Sequence, residues 1–267
     1  MTIAQASIER YSDPTYVGAY LEAEWGDKLR VSKLLPESPL DKLCGPCISE
    51  FYREVIDFTR KVIETTHVET MCDIGCSTGR LLYEFISVFP PMKDVLGVEP
   101  SQVFTDYGRK FLLKIGDANL EWIPLPNSRI KPTYIKLNEE FFNSIKIEEN
   151  KRSALDIFTG IGENIPRPEK HFDLLFCLNV IDRHPSPKVL VDRLGKLLRK
   201  GGFFFLASPM DWDKRFTESE HWVDDLGRLF NEEEWEKKRA IDLLYPFRHT
   251  LRHKTNYVSQ VVCMTRK

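Results

Sequence analysis

Nowhere in its 267 residues does the chain hold an apolar run of 18, so no membrane-spanning helix is expected. Excess charge of one sign is missing as well. Lysine and arginine number 38 against 40 acidic residues, for a net charge of -2 and a sequence pI near 6.3. That balance gives no basic field to draw in nucleic acid or an anionic membrane, and it favours a small-molecule substrate. Cysteines are few, at 44, 47, 72, 76, 177 and 263, without the density of a disulfide scaffold, as expected of reduced thiols used as small apolar residues. Cys44-Gly-Pro-Cys47 copies a redox motif, but that motif belongs after a buried strand, which the preceding LLPESPLDKL cannot form. A zinc site would need two more ligands at motif spacing, so no metal is expected. The opening MTIAQASIERYSDPTYVGAY lacks the basic-then-apolar layout of a signal peptide, which makes a cytoplasmic protein the expectation. Repeats and low-complexity tracts are also absent, and the length suits one α/β domain spanning residues 1–267.

What is present begins at residue 69. ETMCDIGCSTGRLLYEFISVFPPMKDVLGVEPS reads as a strand ending near Ile74, a glycine-bearing turn, a helix from about Thr78 to Val88, and a second strand, Asp94 to Val98, closed by Glu99. Gly75 and Gly79 let the backbone turn tightly and approach a ligand at a helix N-terminus. Glu99 lies roughly 20 to 25 residues beyond the first glycine, where a carboxylate can accept both hydroxyls of a ribose. A pyrophosphate loop needs a third, central glycine, and Ser77 stands there instead, which disfavours a nicotinamide-dependent oxidoreductase. Asp73 before the turn suits a ligand that brings positive charge.

On Asp73, Gly75, Gly79 and Glu99 the chain resembles the class I methyltransferases, which use S-adenosylmethionine, a sulfonium and ammonium ligand without phosphate. That resemblance implies an α/β, Rossmann-like, seven-stranded, mostly parallel sheet with helices on both faces and a C-terminal antiparallel hairpin. It implies a cofactor site of Asp73, Gly75, Cys76, Ser77, Gly79, Glu99, Pro100, Ile161, Gly162 and Asn179, with S-adenosylhomocysteine as the product. Most relatives carry an acid where Ile161 stands, two residues before Glu163, so apolar stacking and a backbone contact would hold the adenine here.

Tyr11 to Arg30 and Ile48 to Ile63 are expected helices, the first ended by Pro36 and Pro39, and residues 1–63 form a helical lid or substrate segment. A helix from Ser101 to Leu113 precedes an insertion at 114–151, and strands follow at Ala154–Thr159 and Phe172–Leu178. Pro187 to Arg199 reads as a helix stopped by Lys200-Gly-Gly202, then Phe203 to Ala207 as a buried strand. Asn231 to Leu243 reads as a polar helix. Tyr245–His253 and Tyr257–Met264 would pair as a hairpin around Lys-Thr-Asn.

Two segments go beyond the general fold: Leu178-Asn-Val-Ile-Asp-Arg183, and Ser208-Pro-Met-Asp-Trp212 followed by Phe216-Thr217 and Trp222. Together they resemble the mercaptohistidine N-methyltransferases of ovothiol biosynthesis, and the N-terminal YLEAEWGD fits the same family more loosely. The resemblance spans roughly residues 16 to 235. It implies a substrate of 5-mercaptohistidine or its selenium analogue, supplied by a separate iron-dependent sulfoxide synthase, since the fused synthase of that family is absent from this sequence.

Methyl transfer is an in-line displacement, so an enzyme acts mainly by holding the nucleophile on axis. A neutral imidazole has one N–H and one lone pair, and a carboxylate accepting the N–H leaves the other nitrogen to attack. Asp182 is the candidate carboxylate. Asn179 would hold the ring or the amino-acid end, Arg183 the substrate carboxylate, and Trp212 an aromatic wall, with Tyr16 and Tyr20 closing the site. His184, before Pro185, reads as a loop residue. Helix-capping and core packing account for several of these positions equally well. Methylation of a protein histidine or histidine dipeptide, and a non-catalytic cofactor-binding partner, are the competing readings.

Overall fold

The structure is a computed structural model that describes residues 13–35, 37–45, 47–63, 67–125, 133–162 and 164–267. Tyr11, Pro36, Pro46 and Glu163, each part of an expectation above, lie outside the described residues. The strands are β1 (Thr70–Ile74), β2 (Asp94–Glu99), β3 (Trp122–Pro124), β4 (Tyr134–Lys136), β5 (Leu155–Thr159), β6 (Phe172–Leu178), β7 (Leu198–Ser208), β8 (Trp235–Thr250) and β9 (His253–Arg266). Seven of them form one sheet in the order β5-β2-β1-β6-β7-β9-β8, with β3 and β4 paired separately inside the 114–151 segment. The first five run parallel, and β9 enters antiparallel between β7 and β8. This is the expected Rossmann-like methyltransferase architecture, with the strand order reversing at β1, where neighbouring crossovers leave a crevice at the carboxyl ends of the strands.

β6 is buried at every position, as a central parallel strand covered on both faces must be. One apolar cluster packs Phe85, Phe104, Phe176 and Phe205 on one face, and a second packs Phe172, Phe204, Leu190 and Leu194 on the other. The helices are α1 (Pro14–Val31), α2 (Pro39–Cys44), α3 (Phe51–Ile63), α4 (Arg80–Val88), α5 (Gln102–Gly108, continuing as a π turn over Arg109–Leu113), α6 (Glu139–Ser144), α7 (Glu149–Arg152) and α8 (Pro187–Gly195). Asp13 caps α1 by accepting the Thr15 N–H at 2.7 Å, Pro14 opens it, and Lys28 and Arg30 oppose the dipole at its end.

Three local expectations are corrected. The segment read as a polar helix is the first half of β8, a sheet-edge strand whose residues 236–240 are all exposed, so neither face carries an apolar signal. The hairpin turns earlier than Lys254, with Thr250 paired to His253 and the Thr250 hydroxyl accepting the Arg252 N–H at 3.2 Å. And α8 ends at Gly195, where the Trp235 ring would lie 2.7 Å from any Cβ, while Gly201 (φ 77°) sits inside β7 at an irregularity of its pairing with β6.

Buried arginines tie α1 to β8 and to α4. Arg248 of β8, 1% exposed, donates to Glu22 at 3.1 Å and to the Ser38 hydroxyl at 2.9 Å, and pairs with Asp41. Arg80 at the start of α4, 2% exposed, donates to Asp27 at 2.6 and 3.0 Å and to Glu84 at 2.9 Å, and it also bonds the Glu24 carbonyl. Its guanidinium lies over the Trp25 ring, 5.3 Å from the centroid.

Candidate active site

The turn after β1 takes its shape from its glycines. Gly75 (φ 74°) and Gly79 (φ 89°) both adopt the left-handed conformation, and a Cβ on Gly75 would lie 2.3 Å from Val180 Cγ2. That contact places the turn directly against the Asn179–Asp182 segment. Gly75 and Cys76 donate their N–H groups to the Val98 carbonyl at 2.8 and 3.1 Å, which locks the turn onto β2.

Carboxylates already hold the amides at the entrance to α4. The Ser77 N–H donates to Glu99 at 3.2 Å, and the Thr78 N–H donates to Glu24 at 3.2 Å. These are the groups a pyrophosphate would need at a helix N-terminus. Glu99 also accepts the Ser101 N–H at 2.9 Å, so two backbone donors fix its carboxylate at the end of β2. Burial pushes the Glu99 carboxyl up to about 7 against the pull of those donors. Asp73 is 2% exposed, and burial together with the Glu24 and Glu99 charges pushes its carboxyl well above the usual range. Asp73 Oδ1 has no hydrogen-bond partner among the described residues.

Across the Gly75–Val180 contact, Asn179 (φ 57°) closes β6. Its N–H donates to the Ala207 carbonyl at 2.8 Å, and its Oδ1 accepts the Ser259 hydroxyl of β9 at 2.8 Å. Asp182 follows on the short turn Ile181–Arg183, 2% exposed, its carboxyl raised by burial with Arg183 opposing. The Cys177 thiol beneath is pushed up first by burial and then by both the Asp73 and Asp182 charges, as expected for adjoining clusters.

Arg183 bridges Asp182 at 3.3 Å and Asp211 at 2.9 Å, and its guanidinium lies 5.7 Å from the Phe216 ring centroid. Behind it, Thr217 donates to the His184 carbonyl at 2.8 Å and the Trp222 indole donates to the Thr217 carbonyl at 2.8 Å. The Trp212 indole donates to Val223 O at 2.8 Å. His184 is a loop residue whose Nδ1 accepts the Ser186 N–H at 3.1 Å.

Tyr16 and Tyr20 sit on α1, with Tyr20 packed 5.0 Å from both Phe104 and Phe247, and Tyr16 beside Phe247 and His249. Ile161 is 42% exposed beyond β5, where Gly160 donates to the Glu99 carbonyl at 3.0 Å, and Pro100 and Gly162 are half-buried nearby. A cavity of about 560 Å³, lined by Asp57, Arg60, Lys61, His67, Phe89 and Pro90, lies at the amino end of β1, away from this chemistry. Cys47 is buried with its thiol pushed up to about 11, the opposite of what a redox thiolate requires.

A methyltransferase-domain family profile matches residues 48–238. The chain belongs to the methyltransferase domain family. It is an enzyme that uses S-adenosylmethionine as methyl donor. No curated protein sequence matches this methyltransferase. Among solved structures it is similar to the N-methyltransferase NodS of Bradyrhizobium japonicum (11% identity, TM-score 0.52, covering 81% of this chain and 96% of that one). It is also similar to a putative methyltransferase of Bacillus halodurans (11%, 0.51, 82% and 99%) and to the [4+2]-cyclase SpnF (11%, 0.53, 94% and 96%). At such identities these likenesses establish the fold, and the cyclase illustrates that the fold hosts more than one chemistry.

The methyltransferase's residues fit the cofactor. Buried acceptors at Asp73 suit an ammonium and sulfonium ligand, the oriented Glu99 suits a ribose, and the occupied Ser77 and Thr78 amides leave no phosphate cradle. Glu24, Asp211, Ser259 and the tyrosines 52, 245 and 257 also stand near the site residues, though the sequence assigns none of them a role. Tyr52 and Tyr245 meet edge-on at 6.4 Å between ring centroids, and Tyr257 is close enough to the Asp182–Arg183–Asp211 cluster to feel its charges.

Among the described residues no helix is long and apolar enough to cross a membrane, and no group of metal-binding side chains occurs.

Proposed function

We propose that this methyltransferase acts on the imidazole of 5-mercaptohistidine or its selenium analogue in ovothiol-type biosynthesis, receiving that substrate from a separate iron-dependent sulfoxide synthase. The observation that supports it is the joining of the two segments that carry the family resemblance. Arg183 of the first holds Asp211 of the second at 2.9 Å, and Thr217 bonds His184 at 2.8 Å. Residues that are separate motifs in sequence thus make one wall at the carboxyl end of β6, beside the cofactor turn.

The bound cofactor supplies an electrophilic methyl group on sulfur. Asp182 accepts the imidazole N–H, leaving the other ring nitrogen's lone pair free, and its charge stabilises the cationic ring. Asn179, with Oδ1 held by Ser259, presents its NH2 group toward an acceptor on the substrate. Arg183 is held by two carboxylates, so it orients Asp182, and it takes a substrate carboxylate only by exchanging the more exposed Asp211. A second reading, methylation of a histidine dipeptide or a protein histidine, draws on the partial exposure of Arg183 and Trp222 at the rim.

The test incubates the protein and S-adenosylmethionine with histidine, 5-mercaptohistidine, its selenium analogue and a histidine dipeptide, and reads a gain of about 14 Da by mass spectrometry. Product from the chalcogen-bearing histidines alone is expected, and product from the dipeptide alone would overturn the assignment. Asp182→Asn should lower turnover by about 100-fold with cofactor affinity retained, while Glu99→Ala weakens cofactor binding. Equal loss of cofactor binding in both variants would overturn this assignment of roles.

A further inference from the structure

Glu24 belongs to neither the motif turn nor the substrate wall, yet from α1 it bonds the end of that turn at Thr78. It is 2% exposed. Its Oε2 accepts the Thr78 N–H at 3.2 Å and the Thr78 hydroxyl, and the Trp25 indole donates to that hydroxyl at 2.8 Å. Its Oε1 has no hydrogen-bond partner among the described residues. Asp73 Oδ1 is in the same condition, and the Glu24 charge acts on both Asp73 and Glu99. The Ser77 hydroxyl lies near enough to lower the Glu24 pKa without forming a well-made hydrogen bond.

The buried cation beside them is committed elsewhere. Arg80 spends its donors on Asp27, Glu84 and the Glu24 carbonyl, so neither free carboxylate oxygen is bonded by it. Two buried acids close enough for the charge of one to act on the other, each with an idle acceptor, are costly unless a cation with N–H donors arrives. An amide at position 24 would accept the Thr78 bonds equally well with no charge to bury. The cofactor's methionine end carries such a cation, an ammonium with three donors.

We infer that Glu24 and Asp73 jointly bind the α-ammonium of the cofactor, with Glu24 closing the site from the N-terminal helix. The inference depends on the cofactor alone and stands or falls independently of the acceptor substrate. Glu24 thereby makes α1 part of the cofactor site and selects ligands with a free amine.

Calorimetry on the full chain tests this with three probes: S-adenosylhomocysteine, decarboxylated S-adenosylmethionine, which keeps the amine and lacks the carboxylate, and 5'-methylthioadenosine, which lacks both. Glu24→Gln, which retains the Thr78 acceptor, should weaken the two amine-bearing probes by about 10- to 100-fold and the third by less than about threefold. Equal weakening of all three would assign Glu24 a purely structural role. Unchanged binding of the amine-bearing probes, or a wild-type protein that does not prefer them to 5'-methylthioadenosine, would overturn the inference. Thermal unfolding of the ligand-free variant guards against a folding defect, and Glu24→Asp should recover part of the preference for the amine.

Discussion

Glu24 and Glu99 face the same physical conflict, a carboxyl out of water, and both are pushed up to about 7 by burial. Each binds a proton in the folded chain at pH values where the unfolded chain has released it. Their favourable contribution is complete below about pH 4.5 and is lost as pH rises through about 7. Ligand-free protein should therefore lose stability between about pH 5 and pH 8. Glu24→Gln should be more stable than wild type at about pH 8, by on the order of 1–3 kcal/mol, with the gap shrinking toward about pH 5. Urea denaturation at the two pH values checks it, and a gap confined to the acidic side would mean the ligand-free site stabilises the Glu24 charge. Asp73, Glu99, Asn179 and Asp182 were legible in the sequence because side chains at the carboxyl ends of parallel strands have a place fixed by the fold. Glu24 was not. α1 buries residues around most of its circumference, including Val17, Ala19, Leu21, Glu22, Ala23 and Trp25, so no periodic stripe marks which of its acids point inward.

Among elements, those filled with apolar residues were readable: β1, β2, β6 and α4 differ from the sequence reading by a residue or two at most. β8 was not, because its first half lies at a sheet edge and carries Glu236, Lys237, Lys238 and Arg239 in succession, all exposed. Charged side chains on an edge strand discourage pairing with other chains, and they also erase the alternation that identifies a strand. The second half of β8 carries Arg248, whose burial with Glu22 and Asp41 ties α1 and α2 to the sheet. Arg248→Ala should cost about 3–5 kcal/mol, since it removes the shortest pairings of two buried carboxylates and leaves them sharing the half-buried Arg30, 3.6 Å from Glu22 and 3.3 Å from Asp41. Adding Glu22→Gln should return part of that loss in equilibrium unfolding. A cost within about 0.5 kcal/mol would mean that water reaches the pair.

In the whole molecule, α1 connects regions far apart in the sequence, with Glu24 and Asp27 on the cofactor turn and α4, and Glu22 on β8. Ligand binding should then slow amide exchange along α1 and in the second half of β8 as well as at Gly75–Gly79. Protection confined to that turn in hydrogen-exchange mass spectrometry would show that the helix does not transmit binding. The sheet order has a further consequence, for how the protein is made. β9 is the last of the seven strands to be synthesised, yet it fills the gap between β7 and β8 and supplies the Ser259 hydroxyl to Asn179. Until it emerges, the apolar β7 has an open edge on the ribosome and β8 has no strand to pair with. During synthesis the nascent chain thus passes through a sticky stage that only its final strand ends, and shielding by chaperones is most needed in that interval.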